Sequence, residues 1–170
     1  IITYQNKVYA GENVSIDVTA ENQGAFTENF NVTVYAKKAV IDTITSTLAS
    51  RSSTTVTFSW DTTGASFGSH TISAEASIVL GENDTGDNTL IDGTVLIKPP
   101  FHDVAIVNVR ISPSFVYAGE NVSIYVDAWN IGCFPETFNV TTYADPNSTI
   151  IGDEITIGNQ SLSLSSRGFT

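Results

Sequence analysis

Seven Asn-x-Ser/Thr triplets, at Asn13, Asn31, Asn83, Asn121, Asn139, Asn147 and Asn159, are the most numerous chemically addressable groups in this 170-residue sequence. The side-chain amide in such a triplet accepts an N-linked glycan when the protein is exported. Thirteen Asn, with about a quarter of all residues Ser or Thr, give roughly three such triplets by chance. The excess is modest, and the plainer reading is that Ser, Thr and Asn fill a polar sheet face.

A second cluster is acidic. Glu82, Asp84, Asp87 and Asn88 fall in the Gly-containing stretch GENDTGDN and bring several oxygens into one loop. Hard cations such as Ca2+ favour oxygen ligands, but the spacing does not match the calcium loop of a helical hand. A solvated turn is therefore the expectation, with Ca2+ as the weaker alternative and no other cofactor.

The two histidines, His70 and His102, stand apart and have no Cys or His at metal-ligand spacing. No Gly-x-Ser-x-Gly turn or other nucleophile-bearing context is read in the sequence, and no catalysis is expected. Cys133 is the only cysteine, so no internal disulfide forms. It aligns with Ala25 in a Gly-bearing turn, which favours a small-residue role over a reactive thiol. Tyr35, Tyr143 and Trp129 fall at or near outward strand positions. Such rings stack on sugars, contact proteins or pack on a neighbouring strand.

What must position these groups is a repeated framework. The stretch VYAGENVSI at Val8 to Ile16 recurs letter for letter at Val116 to Ile124, and FNVT recurs at Phe30 and Phe138. An offset of about 108 residues is far longer than a solenoid unit, so each copy should be a domain of its own. Asn13 with Asn121, and Asn31 with Asn139, are then copies of one site each.

Within the copies the hydrophobic period is two, and no helical period is sustained. Val14, Ile16, Val18 and Ala20 alternate with polar residues, as do Phe30, Val32, Val34 and Ala36. Val56, Phe58 and Trp60, then Ile72, Ala74, Ala76 and Ile78, are expected inward on later strands, and a last strand runs from Thr89 to Ile97. Short strands separated by turn signals such as NQG and DTTG imply an all-β chain of tandem immunoglobulin-like antiparallel β-sandwiches. The adjacent prolines of KPPFHD mark a short, semi-rigid link, giving domains at 1–98 and 99–170.

Alignment of the copies places Ile1 opposite Val109 and LASRSST, Leu48 to Thr54, opposite LSSRGFT, Leu164 to Thr170. The first copy therefore lacks a counterpart of the entering strand DVAIVNV, and the second lacks counterparts of Val56 to Ile97. A window onto a longer repeat array explains both breaks. Strands donated by a neighbouring molecule are the alternative. The absence of any Met is consistent with a processed or partial product.

Net charge is −11 and the seven Lys and Arg are scattered, so nucleic acid is not an expected partner. No apolar run approaches the roughly 18 residues that span a bilayer, which argues against membrane insertion of this segment.

The series DVAIVNV, YAGENVSI, VTAENQG, FNVTVYA and SSTTVTFSWDTTG resembles the CARDB domain, a cell-adhesion-related repeat of prokaryotic and particularly archaeal surface or secreted proteins. The resemblance covers nearly all of the first copy and the first half of the second. It implies a seven-stranded immunoglobulin-like sandwich at the cell surface or outside the cell. GENDTGDN is similar to the acidic turn that members often carry before their last strand.

These readings converge on a non-catalytic extracellular structural or adhesion module of a cell-surface, S-layer-associated or filament protein. Its expected partners are further repeats or other copies of itself, and surface glycans or proteins. An accessory module of a secreted hydrolase such as a protease, and a filament subunit completed by strand exchange, are the alternatives.

Overall fold

In the computed structural model, residues 1–146 and 154–170 are described; the Asn147 triplet lies outside them. The strands are β1 (Ile2–Thr3), β2 (Lys7–Tyr9), β3 (Asn13–Asn22), β4 (Glu28–Ala36), β5 (Ala39–Leu48), β6 (Ser52–Asp61), β7 (Gly68–Ala76), β8 (Thr89–Lys98), β9 (Val104–Ser112), β10 (Ser123–Asn130), β11 (Glu136–Ala144) and β12 (Ile155–Leu164). The chain divides within its proline pair, into Ile1–Pro99 and Pro100–Thr170.

The first unit is a sandwich of a three-stranded sheet, β1-β3-β6, and a five-stranded sheet, β2-β8-β7-β4-β5. Alternation decides its core. Register pairs Val14 with Trp60, Ile16 with Phe58 and Val18 with Val56, so the apolar positions of both strands lie on one face. Phe30, Val32, Val34, Ile72, Ala74, Val95 and Ile97 complete the core from the opposite sheet. Burial of each large side chain contributes about 1.5–3 kcal/mol.

Three features depart from the expected pattern. Among the described pairs all but one are antiparallel; β2 runs parallel to β8, pairing Lys7 with Leu96 and Tyr9 with Lys98. The entering strand is split: β1 pairs with β3 in one sheet, and the chain then crosses to the edge of the other as β2. Ile78, expected inward, is exposed, because β7 ends at Ala76. Beyond it the Ser77 N–H reaches the Asn31 carbonyl at 2.9 Å, and the Val79–Glu82 turn follows.

The second unit holds two two-stranded sheets, β9-β10 and β11-β12. Its terminal residues add a bridge from Phe169 to Trp129. β9 meets β10 in the register that β1 shows with β3: Ile111 opposes Ile124 as Thr3 opposes Ile16. The repeat thus persists in pairing as well as in letters.

Candidate functional site

Residues repeated between the copies converge on two corners. In the first, the Glu12 N–H donates to the Tyr9 carbonyl at 3.0 Å, while the Glu12 carboxylate accepts the Tyr9 N–H at 2.8 Å. Gly11 has φ of +94°, as the third position of a type II turn requires. Tyr117, Gly119 and Glu120 repeat the arrangement, with φ of +95° and a carboxylate contact of 2.9 Å. Thr62 locks the first copy's turn: its hydroxyl accepts the Gly11 N–H at 3.0 Å and donates to the Glu12 carbonyl at 2.7 Å.

The same device occurs a third time in the acidic loop. Gly81 has φ of +84°, and Glu82 accepts the Val79 N–H at 3.0 Å. One member of the candidate cation set thus already closes a turn. Asp84 accepts the Gly86 N–H at 3.2 Å, and Asp87 is exposed. The Asn88 carbonyl accepts the Ala76 N–H, while its side-chain nitrogen is buried without a partner. Among the described residues, no three His, Cys, Asp or Glu side chains are grouped to hold a metal ion.

At the second corner a buried asparagine ties three segments together. The Asn22 side-chain nitrogen donates to the carbonyls of Phe26, Leu48 and Ala49 at 2.7, 3.0 and 3.1 Å. Its oxygen accepts the Gly24 N–H. Asn130 does the same with Phe134, Leu164, Ser165 and Gly132. A polar side chain buried without these partners would be destabilising; with them it fixes two turns to one strand end. The signal was present in the sequence, since Asn-x-Gly recurs at the ends of β3 and β10, but in so Asn-rich a chain it reads as surface.

Beside Asn22 the two sheets part, leaving a cleft of about 670 Å³ lined by Val18, Ala20, Phe30, Val32, Ala76 and Leu90. Glu82, Asp84, Asp87 and Asn88 stand on its rim. The loop therefore borders an opening of mixed lining, with apolar side chains between the sheets and carboxylates and amides around them.

Of the glycosylation candidates, Asn13, Asn31, Asn83, Asn121, Asn139 and Asn159 are all exposed. Asn31 is partly engaged, its oxygen accepting the Thr45 hydroxyl at 2.7 Å. Tyr35 is half-buried with its hydroxyl on Glu75; Tyr143 and Trp129 are exposed, the latter with its ring 6.4 Å from that of Phe169. Cys133 is half-buried, and its N–H donates to the Phe101 carbonyl.

One motif is missed when the sequence is read without a nucleophile context. Gly64 to Gly68 reads GASFG, which satisfies the Gly-x-Ser-x-Gly pattern in letters. The structure places Ser66 in the loop between β6 and β7, not in a strand-to-helix turn. His70 lies 3.4 Å from the Ser66 hydroxyl, but the same ring nitrogen sits 2.7 Å from the Ser66 carbonyl, which can only accept. That nitrogen carries the proton and is not a base for the serine. Trp60 covers the ring at 5.4 Å, so His70 is a core residue closing its own loop.

A model of the CARDB family matches residues 1–90. The chain belongs to the CARDB family. One solved CARDB domain, that of the PF1109 protein from Pyrococcus furiosus in complex with di-metal ions, is 20% identical at a TM-score of 0.47, covering 55% of this chain and 81% of that one. A Class 5 fimbriae chaperone, CfaA, is 12% identical at a TM-score of 0.28, over 99% of this chain and 83% of that one. No curated protein matches the chain.

CARDB domains are non-catalytic immunoglobulin-like modules associated with cell-surface and extracellular proteins, and a surface or adhesion-related module is the class of function this membership supports. Among the described residues, no helix is long and apolar enough to cross a membrane. Titration adds no chemistry to the CARDB framework. Asp17 is held below the ordinary aspartate range by the hydroxyls of Thr57 and Tyr4, both at 2.6 Å, and Tyr4 is raised in turn by that carboxylate. Tyr35 is raised by burial and by Glu75.

Proposed function

We propose that the chain is a structural repeat module of an extracellular or cell-surface protein, contributing adhesion or length rather than catalysis. One observation carries this reading: what the two copies share is their corners, Asn22 with Asn130 and Glu12 with Glu120, each engaged with backbone groups. Duplication has kept the joints of a building block. Exposed asparagines on the sheet faces offer attachment points for glycans, and exposed aromatics such as Tyr143 offer contact points for sugars or proteins.

Labelling of intact cells of the native source with an antibody against this chain tests the location. Surface labelling without permeabilisation is expected, and labelling that needs lysis overturns it. The intact mass of the native protein, before and after a glycan-releasing reagent, tests the second element. A mass that falls on treatment is expected, and a mass equal to the sequence mass removes glycosylation from the proposal.

A further inference from the structure

In the first unit β5 and β6 follow one another through a short turn, and each is an edge strand of its sheet. Bulges, charges and prolines are the devices that keep such edges from pairing with other chains. β5 has two of them, with Ile41 as the extra residue of a bulge and Asp42 beside it. β6 has none along its length. Its ten residues, Ser52–Asp61, run against β3 without a register shift, and positions 52–60 include no charged residue and no proline. The strand stands between β5 and β7 in sequence, so residues in the middle of the unit build this edge.

The ladder fixes which backbone groups of β6 are turned outward. The Thr62 N–H donates to the Glu12 carbonyl at 3.3 Å, which makes positions 62 and 12 a hydrogen-bonded pair. Bonded pairs recur at every second residue of an antiparallel ladder, so the even-numbered positions of β6 bond to β3 and the odd-numbered ones direct their N–H and C=O groups away from it. Those of Ser53, Thr55, Thr57 and Ser59 meet no strand among the described residues. Such a row is a template for one more strand.

Charge says which strand fits. Arg51 immediately precedes β6 and Asp61 ends it, so one cation and one anion bracket the uncharged stretch. Arg51 is exposed and takes part in no ion pair among the described residues. Asp61 is exposed as well, and the Thr63 N–H at 2.8 Å holds its carboxyl below the ordinary aspartate range, which keeps it ionised. A strand with this pattern is complementary to itself, because an antiparallel copy brings its acidic end to the basic end of the first.

We propose that β6 pairs antiparallel with β6 of a second copy of this chain, about a two-fold axis at Val56. The charges set the register: Arg51 lies opposite Asp61 of the second copy at both ends, Ser53 opposite Ser59 and Thr55 opposite Thr57. These opposed residues are all odd-numbered, so the outward N–H and C=O groups of one strand face those of the other. On the inward face Val56 meets its own copy across the axis. It is half-buried and packs against the core, and the contact covers its remaining apolar surface. On the outward face hydroxyls meet hydroxyls, as Thr19 and Thr55 already do across the ladder with β3 at 2.9 Å. The three-stranded sheets of two copies join into one continuous sheet, and because the same patch serves both copies the contact closes as a dimer. The proposal rests on the structural-module reading only in giving that module a lateral contact, and cell labelling is indifferent to it.

Sedimentation equilibrium of the full chain, combined with hydrogen exchange, tests it. A monomer–dimer equilibrium is expected, and the amides of Ser53, Thr55, Thr57 and Ser59 should gain protection as protein concentration rises, while the even-numbered amides already bonded to β3 should not change. Arg51→Asp should weaken dimerisation about tenfold with the Trp60 unfolding transition retained, because two attractive contacts become repulsive. Adding Asp61→Arg to that variant should restore the dimer, a rescue that a role of Arg51 in its own turn would not produce. Should these variants misfold, cysteine placement decides. In a chain carrying Cys133→Ala, Val56→Cys should form an intermolecular disulfide on mild oxidation, since directly opposed residues that are not hydrogen-bonded lie about 4.5 Å apart at Cα, and Ser53→Cys should not. A chain that stays monomeric to millimolar concentration, a dimer in which the odd-numbered amides still exchange, or a charge exchange that fails to rescue each overturns the proposal. Crosslinking at position 53 instead of 56 also overturns it, and assigns self-association to another contact.

Discussion

The two repeats carry the same strand letters and bury them differently. Ile16 is fully buried and its copy Ile124 is not; Val32 is buried and its copy Val140 is half-buried. Alternation sets which face of a strand is apolar, and a second sheet decides whether that face leaves water. In the first unit the β3-β6 sheet and the sheet that holds β4, β7 and β8 cover each other, whereas the second unit has only two two-stranded sheets, with no strands matching β7 and β8 among the described residues. The comparison breaks most directly at its core. Ile16→Ala should cost about 2–5 kcal/mol and Ile124→Ala less than about 1 kcal/mol. Denaturant unfolding followed by fluorescence measures both, because Trp60 reports on the first unit and Trp129 on the second, each isolated by replacing the other with Phe. Equal losses would show that burial does not separate the repeats.

The corners should behave in the opposite way. Asn22 and Asn130 make the same contacts in both copies, so Asn22→Ala and Asn130→Ala should each cost about 2–3 kcal/mol, from carbonyls left without a donor. A loss at Asn22 alone would mean that the second corner is held by something other than its asparagine. Similar losses at both would sharpen the comparison: the repeats share joints and differ in cover.

Legibility followed the same division. The long strands could be read because period two over nine or ten residues is a strong local signal, and the residues expected inward on β3, β4 and β6 are the ones that pack together. Ile78 misled because alternation continues one residue pair beyond the last ladder bond, and only pairing with β4 fixes the end. The parallel β2 pair was illegible, since three residues carry no period. Asn22 was illegible for a different reason: its partners at Leu48 and Ala49 lie 26 and 27 residues away, so no local pattern marks it as buried. GASFG was legible and passed over, and only the loop geometry shows that it positions no nucleophile.

The three Gly-Glu turns extend the comparison to a smaller scale. Gly11→Ala and Gly119→Ala should each cost about 1–2 kcal/mol, because a Cβ is strained at positive φ whether or not space is available. Gly81→Ala should cost the same if the acidic loop is a turn of that kind. Calcium should then leave the Tm of the first unit unchanged, as differential scanning calorimetry with and without the ion will show. A rise in Tm would mean that the oxygens of Glu82, Asp84, Asp87 and Asn88 do more than close a loop.

The smallest difference is electrostatic and belongs to one copy. Asp17 accepts two hydroxyl hydrogen bonds, and Tyr125 occupies its place in the second repeat. Hydrogen bonds to the charged form depress the folded-state pKa, so the folded first unit binds fewer protons at this site than the unfolded chain does. The stabilisation is present above the unfolded aspartate value of about 4 and is lost as pH falls through the lower folded-state value. Asp17→Asn should therefore destabilise the first unit slightly at pH 7 and flatten the acid limb of its stability profile. The second unit's profile should not move. Because Asp17 is only partly covered, water and salt compete for its contacts, and the flattening should shrink further in high salt if the charge contributes beyond the two hydroxyls. An acid limb unchanged by the substitution would place the first unit's acid sensitivity elsewhere, with Asp61 and its Thr63 N–H contact the next carboxylate to replace.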